Sequence, residues 1–180
     1  MSDDAHGAPP ASTGQQPVGD LTHVRADGSA HMVDVTGKAE TSREAAAQAV
    51  LTTRPDVVAR LVDGTLPKGE ALGTARIAGI MAAKQTPALI PLCHPLPLGA
   101  ITVDFETDAG AETGAEEASV TVVARVRTRG VTGVEMEALT AATVAALTLF
   151  DMIKAVDHLA VIGDVKVLQK SGGKSGAWAR

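Results

Sequence analysis

The order of strand and helix patterns along the chain predicts an α+β fold, a ferredoxin-like sandwich whose helices pack on one face of an antiparallel sheet. Two alternating segments joined by a polar loop predict a strand hairpin, a long helical pattern follows them, and strand-like segments flank the set. Hydrophobic residues make up 45% of the chain and aromatic residues 2%, so Ala, Val, Leu and Ile must fill the core.

Residues 1–19 are rich in Pro, Gly and small side chains, and they contain neither an apolar run nor a basic start. This composition is typical of a disordered extension and argues against a signal peptide. The remaining residues, 20–180, are enough for one domain with a substantial core. We therefore predict a disordered extension followed by a single domain.

The first two candidate strands differ in the strength of their patterns. Residues 30–35, AHMVDV, predict a short strand. Residues 42–53, SREAAAQAVLTT, are ambiguous, because the alanines favour a helix whereas the Val-Leu-Thr-Thr ending suits a strand.

Two helices follow these segments. TRPD at 53–56 predicts a helix start, with Thr53 as the N-cap, Pro in the first turn and Asp in the capping-box position. That helix is expected to end at 63–64, Asp-Gly. A second helix is predicted over 68–84, KGEALGTARIAGIMAAK, ending before Pro87.

Residues 100–107 and 119–127 alternate between apolar and polar side chains, which predicts strands with one buried face. The apolar positions of the two segments are Ile101, Val103, Phe105, Val120, Val122, Ala124 and Val126. The polar stretch between them, DAGAETGAEE, predicts a hairpin loop, so the two strands are expected to be antiparallel neighbours.

The strongest helical pattern covers 134–156, and Thr132 with Glu135 forms the capping box that predicts its start. Apolar residues at three- and four-residue spacing predict its buried stripe. The stripe consists of Met136, Leu139, Thr143, Ala146, Leu147, Phe150 and Ile153. Residues 159–170, LAVIGDVKVLQK, predict the last strand.

Charge is unevenly distributed along the chain. The formal net charge is −5, yet residues 151–180 contain more Lys and Arg than Asp. A local basic cluster on an acidic protein favours a small anionic ligand over a nucleic-acid backbone. The scarcity of aromatic residues also argues against surfaces that stack on bases, so no nucleic-acid partner is predicted.

The single cysteine cannot form an internal disulfide, so a reducing, cytoplasmic location is expected. The longest apolar run, 138–150, is too short and too rich in Thr to span a bilayer. We therefore expect no membrane partner.

Lys154 is the unusual residue of the long helix, because it falls within the apolar stripe three residues after Asp151. A lysine on a core-facing stripe loses hydration, which disfavours its charged form unless a carboxylate compensates. The pair is therefore a candidate for proton transfer, and an ordinary ion pair at a helix end is the alternative. From the sequence alone, Lys68 is best explained as a solvent-exposed cation at a helix start.

Several other charged residues are candidates for contacts with an anionic substrate. Glu135 suits a cap, whereas Glu137 has no capping role and could accept two N–H donors from a guanine-like ring. KSGGKSG at 170–176 lacks the first glycine of a Walker phosphate loop, but Lys170 and Lys174 beside glycines can still wrap a phosphate group. A flexible chain end is the alternative.

LIPLCHPL, residues 89–96, places Cys93 beside His94. Adjacent residues on an extended segment point to opposite sides, so the two are not expected to activate each other. One cysteine and scattered histidines are too few for a zinc site, so no metal is predicted. The flanking prolines hold His94 on a stiff turn, where it could orient a substrate, and a buried structural histidine is the alternative.

Six motifs together resemble the cyclic pyranopterin monophosphate synthase family, molybdenum cofactor biosynthesis protein C. The motifs are HMVDV, TARIAGIMAAK, LIPLCHPL, TGVEMEALTAATVAAL, DMIKAVD and LQKSGGKSG, and the resemblance runs from about Leu21 to Gly176. It implies that the domain at 20–180 is catalytic. The implied substrate is the 3′,8-cyclised dihydro-GTP made by an upstream radical enzyme, and the implied products are cyclic pyranopterin monophosphate and pyrophosphate.

The resemblance also assigns roles to residues. Asp151 and Lys154 match the family's catalytic pair, and Lys68 matches a further catalytic lysine. The positions that match substrate contacts are Leu92, Cys93, His94, Met136 and Glu137. The resemblance implies a homohexamer, a trimer of dimers with sites at subunit interfaces, and it makes 42–53 a strand.

The residues suit such a reaction. Lys154 and Asp151 could share proton transfers on the ring atoms of the substrate. A departing pyrophosphate needs cations, for which the candidates are Lys68, Lys170 and Lys174. Glu135 joins the candidate substrate contacts. No redox cofactor is needed, although Mg²⁺ could accompany the triphosphate or the pyrophosphate.

The chain departs from the family pattern at Val131, where members often carry Lys or Arg. If that cation contacts phosphate, Arg129 is a candidate substitute. A non-catalytic sensor that binds a small molecule at a dimer interface is the alternative class of protein, since a fold does not fix a function.

Overall fold

The computed structural model describes residues 27–110, 116–174 and 176–180. The chain divides into two units, Met1–Val33 and Asp34–Arg180. The extension predicted at 1–19 lies outside the described residues, and the single domain predicted over 20–180 stays a prediction. The strand predicted at 30–35 is wrong, because Ala30 forms only an isolated bridge and 31–35 have no strand structure.

The unit Asp34–Arg180 is built on a five-stranded antiparallel sheet with three helices. Its elements are β1 (Thr41–Thr53), α1 (Pro55–Val62), α2 (Ala71–Leu89), β2 (Leu98–Asp108), β3 (Ala118–Gly130), α3 (Glu135–Ile153), β4 (Val161–Ser171) and β5 (Trp178–Ala179). The strand order is β2-β3-β1-β4-β5. The first four positions have the order of a ferredoxin-like sandwich, so the predicted fold class is confirmed.

Strand β1 settles the ambiguous segment at 42–53 in favour of a strand. It pairs along its whole length with β3, from Thr41 opposite Gly130 to Thr53 opposite Ala118. Its alanines on the helix-facing side are fully buried. Tertiary packing therefore overrides the helix propensity of alanine, since small side chains at the centre of the sheet let helix α3 approach closely.

The hairpin of β2 and β3 is confirmed as predicted. The two strands pair antiparallel from Leu98 opposite Thr128 to Asp108 opposite Ser119. The apolar face of both strands enters the core, where Val103 is 1% exposed. Part of the connecting loop, residues 111–115, lies outside the described residues.

Helix α1 begins at Pro55 without the predicted cap. Thr53 is instead the last residue of β1, and its Oγ1 donates a hydrogen bond to Oδ2 of the buried Asp157 at 2.7 Å. The N-cap is Arg54, which has no side-chain capping bond and pairs with Asp56 at 2.8 Å. Thr53 and Asp56, the two residues predicted to form a capping box, are therefore bound to Asp157 and Arg54 instead.

Helix α2 is shifted towards the C-terminus relative to the prediction. It begins after Glu70, whose carboxylate accepts a hydrogen bond from the N–H of Gly73 at 2.7 Å. It continues through Pro87 to Leu89, so the predicted stop before the proline is wrong. A proline near the end of a helix removes only one internal hydrogen bond, and Ile90 still donates to the Thr86 carbonyl at 2.9 Å.

Helix α3 buries a face that overlaps only in part with the predicted stripe, which shares Ala146 and Ile153 with it. Its buried residues are Glu137, Ala138, Ala141, Ala142, Ala145, Ala146, Leu149, Met152 and Ile153. Met136 is 37% exposed and Leu147 is 56% exposed, although both belong to the predicted stripe. The stripe of large side chains is an incomplete guide because α3 packs against both the sheet and α2. Five of its nine buried residues are alanines, whose short side chains let these layers approach closely.

The predicted capping box of α3 is also wrong. The N-cap is Val134, which has no side-chain capping bond, and Glu135 is the first helical residue. Its carboxylate is therefore available for another role.

The composition of α3 passes a length and hydropathy test for a membrane span, with a mean hydropathy of 1.5 over 18 residues. The whole helix, unlike the run at 138–150, is long enough to span a membrane. Half of the 18-residue window is buried inside the protein, so packing in the core accounts for the apolar composition.

Candidate active site

The three residues predicted to be catalytic meet at the C-terminal end of α3. Asp151 lies in the last turn of the helix, Lys154 caps it, and Lys68 lies in the loop between α1 and α2. The Nζ of Lys154 is 2.7 Å from Asp151 Oδ1, and the Nζ of Lys68 is 2.7 Å from Asp151 Oδ2. The same lysine donates to the Asp151 backbone carbonyl at 2.7 Å. One carboxylate therefore holds two ammonium groups, which we call the lysine–aspartate–lysine cluster.

The cluster is open to solvent rather than buried in the core. The side chains of Lys68, Asp151 and Lys154 are 39%, 53% and 52% exposed. The reasoning that Lys154 is dehydrated within an apolar stripe is therefore wrong, although the predicted pairing is present. Hydrogen bonds from Lys154 and then from Lys68 lower the pKa of Asp151 to about 2. The carboxylate is ionised at neutral pH and is a weak base there.

A second group of charged residues lines a cleft of about 320 Å³ at the N-terminal end of α3. We call it the phosphate cleft, after the kind of ligand that its charge suits. Its charged residues are Lys38, Arg43, Glu135, Lys170 and Lys174. Four cations and one carboxylate give the lining an excess of positive charge, which suits a polyphosphate or another multiply charged anion.

Arg43 is a residue of the cleft to which sequence reasoning gave no role. Its side chain donates to the backbone carbonyls of Gly130 and Val131, each at 3.3 Å. It therefore lies beside Val131, the position where the family resemblance predicts a cation. Arg129, the substitute predicted from the sequence, lies on the opposite face of β3 from the buried Thr128 and does not line the cleft. Strand alternation is the signal that could have separated the two arginines.

The glycines after β4 bring the chain against Arg43. Gly172 and Gly173 have φ values of 90° and 77°, which side chains other than glycine rarely adopt. A Cβ on Gly173 would collide with Nη1 of Arg43, and one on Gly172 would collide with the carbonyl oxygen of Ser42. The loop that carries Lys174 is therefore packed on β1, which argues against a flexible end.

We expect Gly173→Ala to weaken the binding of pyrophosphate by about ten-fold or more, because the new methyl group must displace the Arg43 guanidinium from the cleft. Isothermal titration with pyrophosphate measures the effect. Gly64→Ala is the matched control, since Gly64 has a φ of 67° but open space around its Cβ position. Equal affinities of the two variants would mean that the loop does not position Arg43.

The LIPLCHPL segment also lies near the N-terminal end of α3. Cys93 N–H donates to the Ile90 carbonyl at 3.1 Å, which closes the predicted tight turn, and Cys93 and His94 are half-buried. Burial, together with the negative charge of Glu137, raises the pKa of the Cys93 thiol. Glu137 is 4% exposed, and burial raises the pKa of its carboxyl. The thiol is thus a poor nucleophile at neutral pH.

We expect Cys93→Ser to retain substantial activity, whereas His94→Ala loses far more. Alkylation of Cys93 by iodoacetamide should be slow at neutral pH and rise only in alkaline solution, because its raised pKa keeps the thiolate fraction small. Glu137→Gln removes a negative charge, lowers the Cys93 pKa and should speed alkylation. Substrate attached covalently to Cys93 in a mass spectrum would contradict this expectation.

Three of the eight predicted substrate contacts line the phosphate cleft, namely Glu135, Lys170 and Lys174. The other five lie outside it: Leu92, Cys93, His94, Met136 and Glu137. Leu92 and Met136 are each 37% exposed. Within residues 27–110, 116–174 and 176–180, no group of three or more His, Cys, Asp or Glu side chains could hold a metal ion. The expectation that no zinc is required stays a prediction.

The two charged groups lie far apart within one chain. From Glu135 at the phosphate cleft to Asp151 in the cluster, α3 rises about 24 Å. This distance is too large for both groups to close on the same reacting atoms of one small molecule. The two groups of one chain therefore cannot act on the same reacting atoms.

The lysine–aspartate–lysine cluster and the cation-lined cleft define an α+β protein whose charged groups suit a small anionic ligand. Comparison with known proteins makes the identification more specific. The MoaC family model matches residues 32–173. The chain belongs to the MoaC family, as the motifs predict.

Curated relatives match the chain over nearly its whole length. A cyclic pyranopterin monophosphate synthase of Corynebacterium efficiens is 65% identical over 160 residues, which cover 89% of this chain and 98% of the relative. The protein of the same name from Corynebacterium glutamicum (strain ATCC 13032) is 64% identical over 161 residues, covering 89% and 97%. Cyclic pyranopterin monophosphate synthase 2 of Mycobacterium tuberculosis (strain H37Rv) is 54% identical over 162 residues, covering 90% and 92%.

Proposed function

We propose that this chain is a cyclic pyranopterin monophosphate synthase, a lyase of molybdenum cofactor biosynthesis. It converts 3′,8-cyclised dihydro-GTP into cyclic pyranopterin monophosphate and releases pyrophosphate. Relatives carry this name, one of them at 65% identity. The observation that carries the proposal is the lysine–aspartate–lysine cluster, which joins residues from two distant parts of the chain.

The cluster serves the proton transfers on the ring of the substrate. Asp151, with a pKa of about 2, is a weak base at neutral pH. Its role is to hold the ammonium groups of Lys68 and Lys154 in fixed positions. The two lysines are then the groups that donate and accept protons as the purine-derived ring is rebuilt into a pterin.

The phosphate cleft serves the second part of the reaction. A hydroxyl of the sugar attacks the α-phosphorus, the bond from the α-phosphorus to the bridging oxygen breaks, and the β- and γ-phosphates leave as pyrophosphate. Negative charge accumulates on that leaving group. Lys38, Arg43, Lys170 and Lys174 stabilise it with charged hydrogen bonds.

The buried Glu137 and the turn at His94 lie near the same end of α3 and complete the substrate-binding side. Glu137 is buried, and N–H donors from the ring of the substrate could bind its carboxylate in place of the water that burial removes. His94 orients the sugar or the phosphate from its stiff turn. Glu135 lines the phosphate cleft and sets one boundary of the substrate.

We propose that the site is assembled from more than one copy of the chain, with the cluster of one chain facing the phosphate cleft of another. The separation of the two groups by the length of α3 supports this proposal. We propose a homohexamer arranged as a trimer of dimers, located in the cytoplasm. The substrate comes from an upstream radical enzyme. No redox cofactor is needed, and Mg²⁺ can accompany the triphosphate or the pyrophosphate.

Turnover of the purified protein tests the proposal. The protein is incubated with 3′,8-cyclised dihydro-GTP, and both pyrophosphate and the cyclic phosphate product are measured. Equal amounts of the two products are expected. Tight binding of the substrate without either product would favour the alternative, a non-catalytic sensor of the same molecule.

A further inference from the structure

Strand β5 pairs with β4 at the residue that supplies a cation to the phosphate cleft. The two-residue strand places Trp178 opposite Lys170 and Ala179 opposite Gln169. Residues opposite each other in an antiparallel pair point to the same face, with Cβ atoms about 5 Å apart. The indole of Trp178 is therefore the cross-strand neighbour of Lys170, and it is 40% exposed.

Arg180 fastens β5 to the sheet. A pair of two residues is a weak ladder by itself. Arg180 adds a hydrogen bond from its backbone N–H to the Leu168 carbonyl at 2.9 Å and one from Nε to the Val167 carbonyl at 2.8 Å. Its guanidinium also lies over the Trp178 ring, 6.0 Å from the centroid. These contacts hold Trp178 against β4.

The loop between β4 and β5 is thereby held at both ends. On the β4 side, Gly172 and Gly173 pack against Ser42 and Arg43. On the β5 side, Trp178 pairs with Lys170. A turn inside the loop joins Gly176 N–H to the Gly173 carbonyl at 3.2 Å. Lys174, which lines the phosphate cleft, lies between these fixed points, so its position depends on β5.

We infer that β5 and Arg180 position Lys170 and Lys174 and thereby set the affinity of the phosphate cleft for pyrophosphate. Neither Trp178 nor Arg180 lines the cleft, so they act as positioning residues and not as contacts. The inference rests on the proposed function, since it takes this cleft to hold the leaving pyrophosphate.

Two variants separate positioning from contact. Truncation after Gly176 removes β5 and Arg180 but keeps both lysines, and we expect it to weaken the binding of inorganic pyrophosphate by about ten- to a hundred-fold in isothermal titration. Arg180→Ala should weaken binding by several-fold, and Arg180→Lys should restore part of the loss. Arg60→Ala, which removes an exposed arginine outside the cleft, is the matched control. In turnover assays KM should rise more than kcat falls.

The single Trp of the chain gives an independent readout. The protein has one Trp and no Tyr, so fluorescence excited at long wavelength comes from Trp178 alone. In Arg180→Ala, the emission should shift to longer wavelength and acrylamide should quench it more strongly, because the ring leaves β4 for water. Circular dichroism checks that the truncated protein is folded. If it is not, the Ala and Lys variants of Arg180 decide the question.

The outcomes distinguish this inference from the proposed function. Unchanged pyrophosphate affinity in the truncated protein and in Arg180→Ala would overturn the inference, as would the absence of pyrophosphate binding by the full chain. A protein that binds pyrophosphate in a β5-dependent way but does not convert cyclised dihydro-GTP would support the inference and overturn the proposed function.

Discussion

Replacing Lys154 by Ala, or Asp151 by Asn, should reduce turnover by about 10²- to 10⁴-fold or more while leaving the protein folded. Lys154 is a proton-transfer group of the cluster. Asp151→Asn removes the charge that holds both lysines, since each ammonium is 2.7 Å from this carboxylate. Both side chains are about half exposed, so their loss should change the melting temperature little.

The matched control is Lys166→Ala, which breaks a similar ion pair on the sheet, 2.8 Å from Asp164. Its turnover should stay close to that of the unmodified chain. Near-normal turnover of either cluster variant would mean that Asp151 and Lys154 form only an ordinary ion pair at a helix end. The comparison is made at saturating substrate, and circular dichroism confirms the fold of each variant.

The pH dependence of turnover follows from the lowered pKa of Asp151. A depressed carboxyl pKa means that the ionised form, with both lysines bound, is present above the ordinary value near 3.8 and is lost only as the pH falls through about 2. An acid limb of the kcat profile near neutral pH must therefore come from another group. A limb near neutrality that disappears in Asp151→Asn would contradict this assignment.

Mixing two inactive variants should restore activity if the site is shared between chains. Lys170→Ala lacks a cation of the phosphate cleft and Lys154→Ala lacks a lysine of the cluster, so we expect each alone to be strongly impaired. In a mixed pair, one site receives both changes and the other receives neither. Random pairing of equal amounts should restore about a quarter of full activity.

A mixture of two cluster variants is the control for this experiment. Lys68→Ala mixed with Lys154→Ala should restore nothing, because both residues belong to the cluster of the same chain and every site then lacks one of them. Mass spectrometry under native conditions confirms that mixed oligomers have formed. Mixed oligomers of Lys154→Ala and Lys170→Ala without restored turnover would mean that one chain supplies the whole site.

Elements whose side chains alternate clearly between apolar and polar could be predicted from the sequence. β2 and β3 are such strands, and their pairing is also local, because only a short loop separates them. The segment at 42–53 could not be decided by composition, since its alanines are selected by the closeness of α3 and not by helix propensity. Packing distance is a property of the whole fold and is absent from any local window.

In the candidate site, too, local contacts could be predicted and distant ones could not. The contact of Asp151 with Lys154 follows from three-residue spacing on a helix. The contact with Lys68 joins residues 83 positions apart and depends on α2 and α3 lying side by side. The role of Arg43 likewise depends on the pairing of β1 with β3. The distance between the cluster and the phosphate cleft, by contrast, could be predicted from the length of the helix at 134–156.

The contact between α2 and α3 restricts how the chain can vary. Elsewhere in a helix, replacing Gly by Ala raises the free energy of unfolding by about 1 kcal/mol. At Gly79 the added Cβ would lie 2.9 Å from the Ala141 carbonyl oxygen and 3.1 Å from the Ala145 Cβ. The substitution that usually makes a helix more heat-resistant should therefore make this one less so. The space at this contact admits only the smallest side chain, so substitutions that raise heat resistance are expected at other positions.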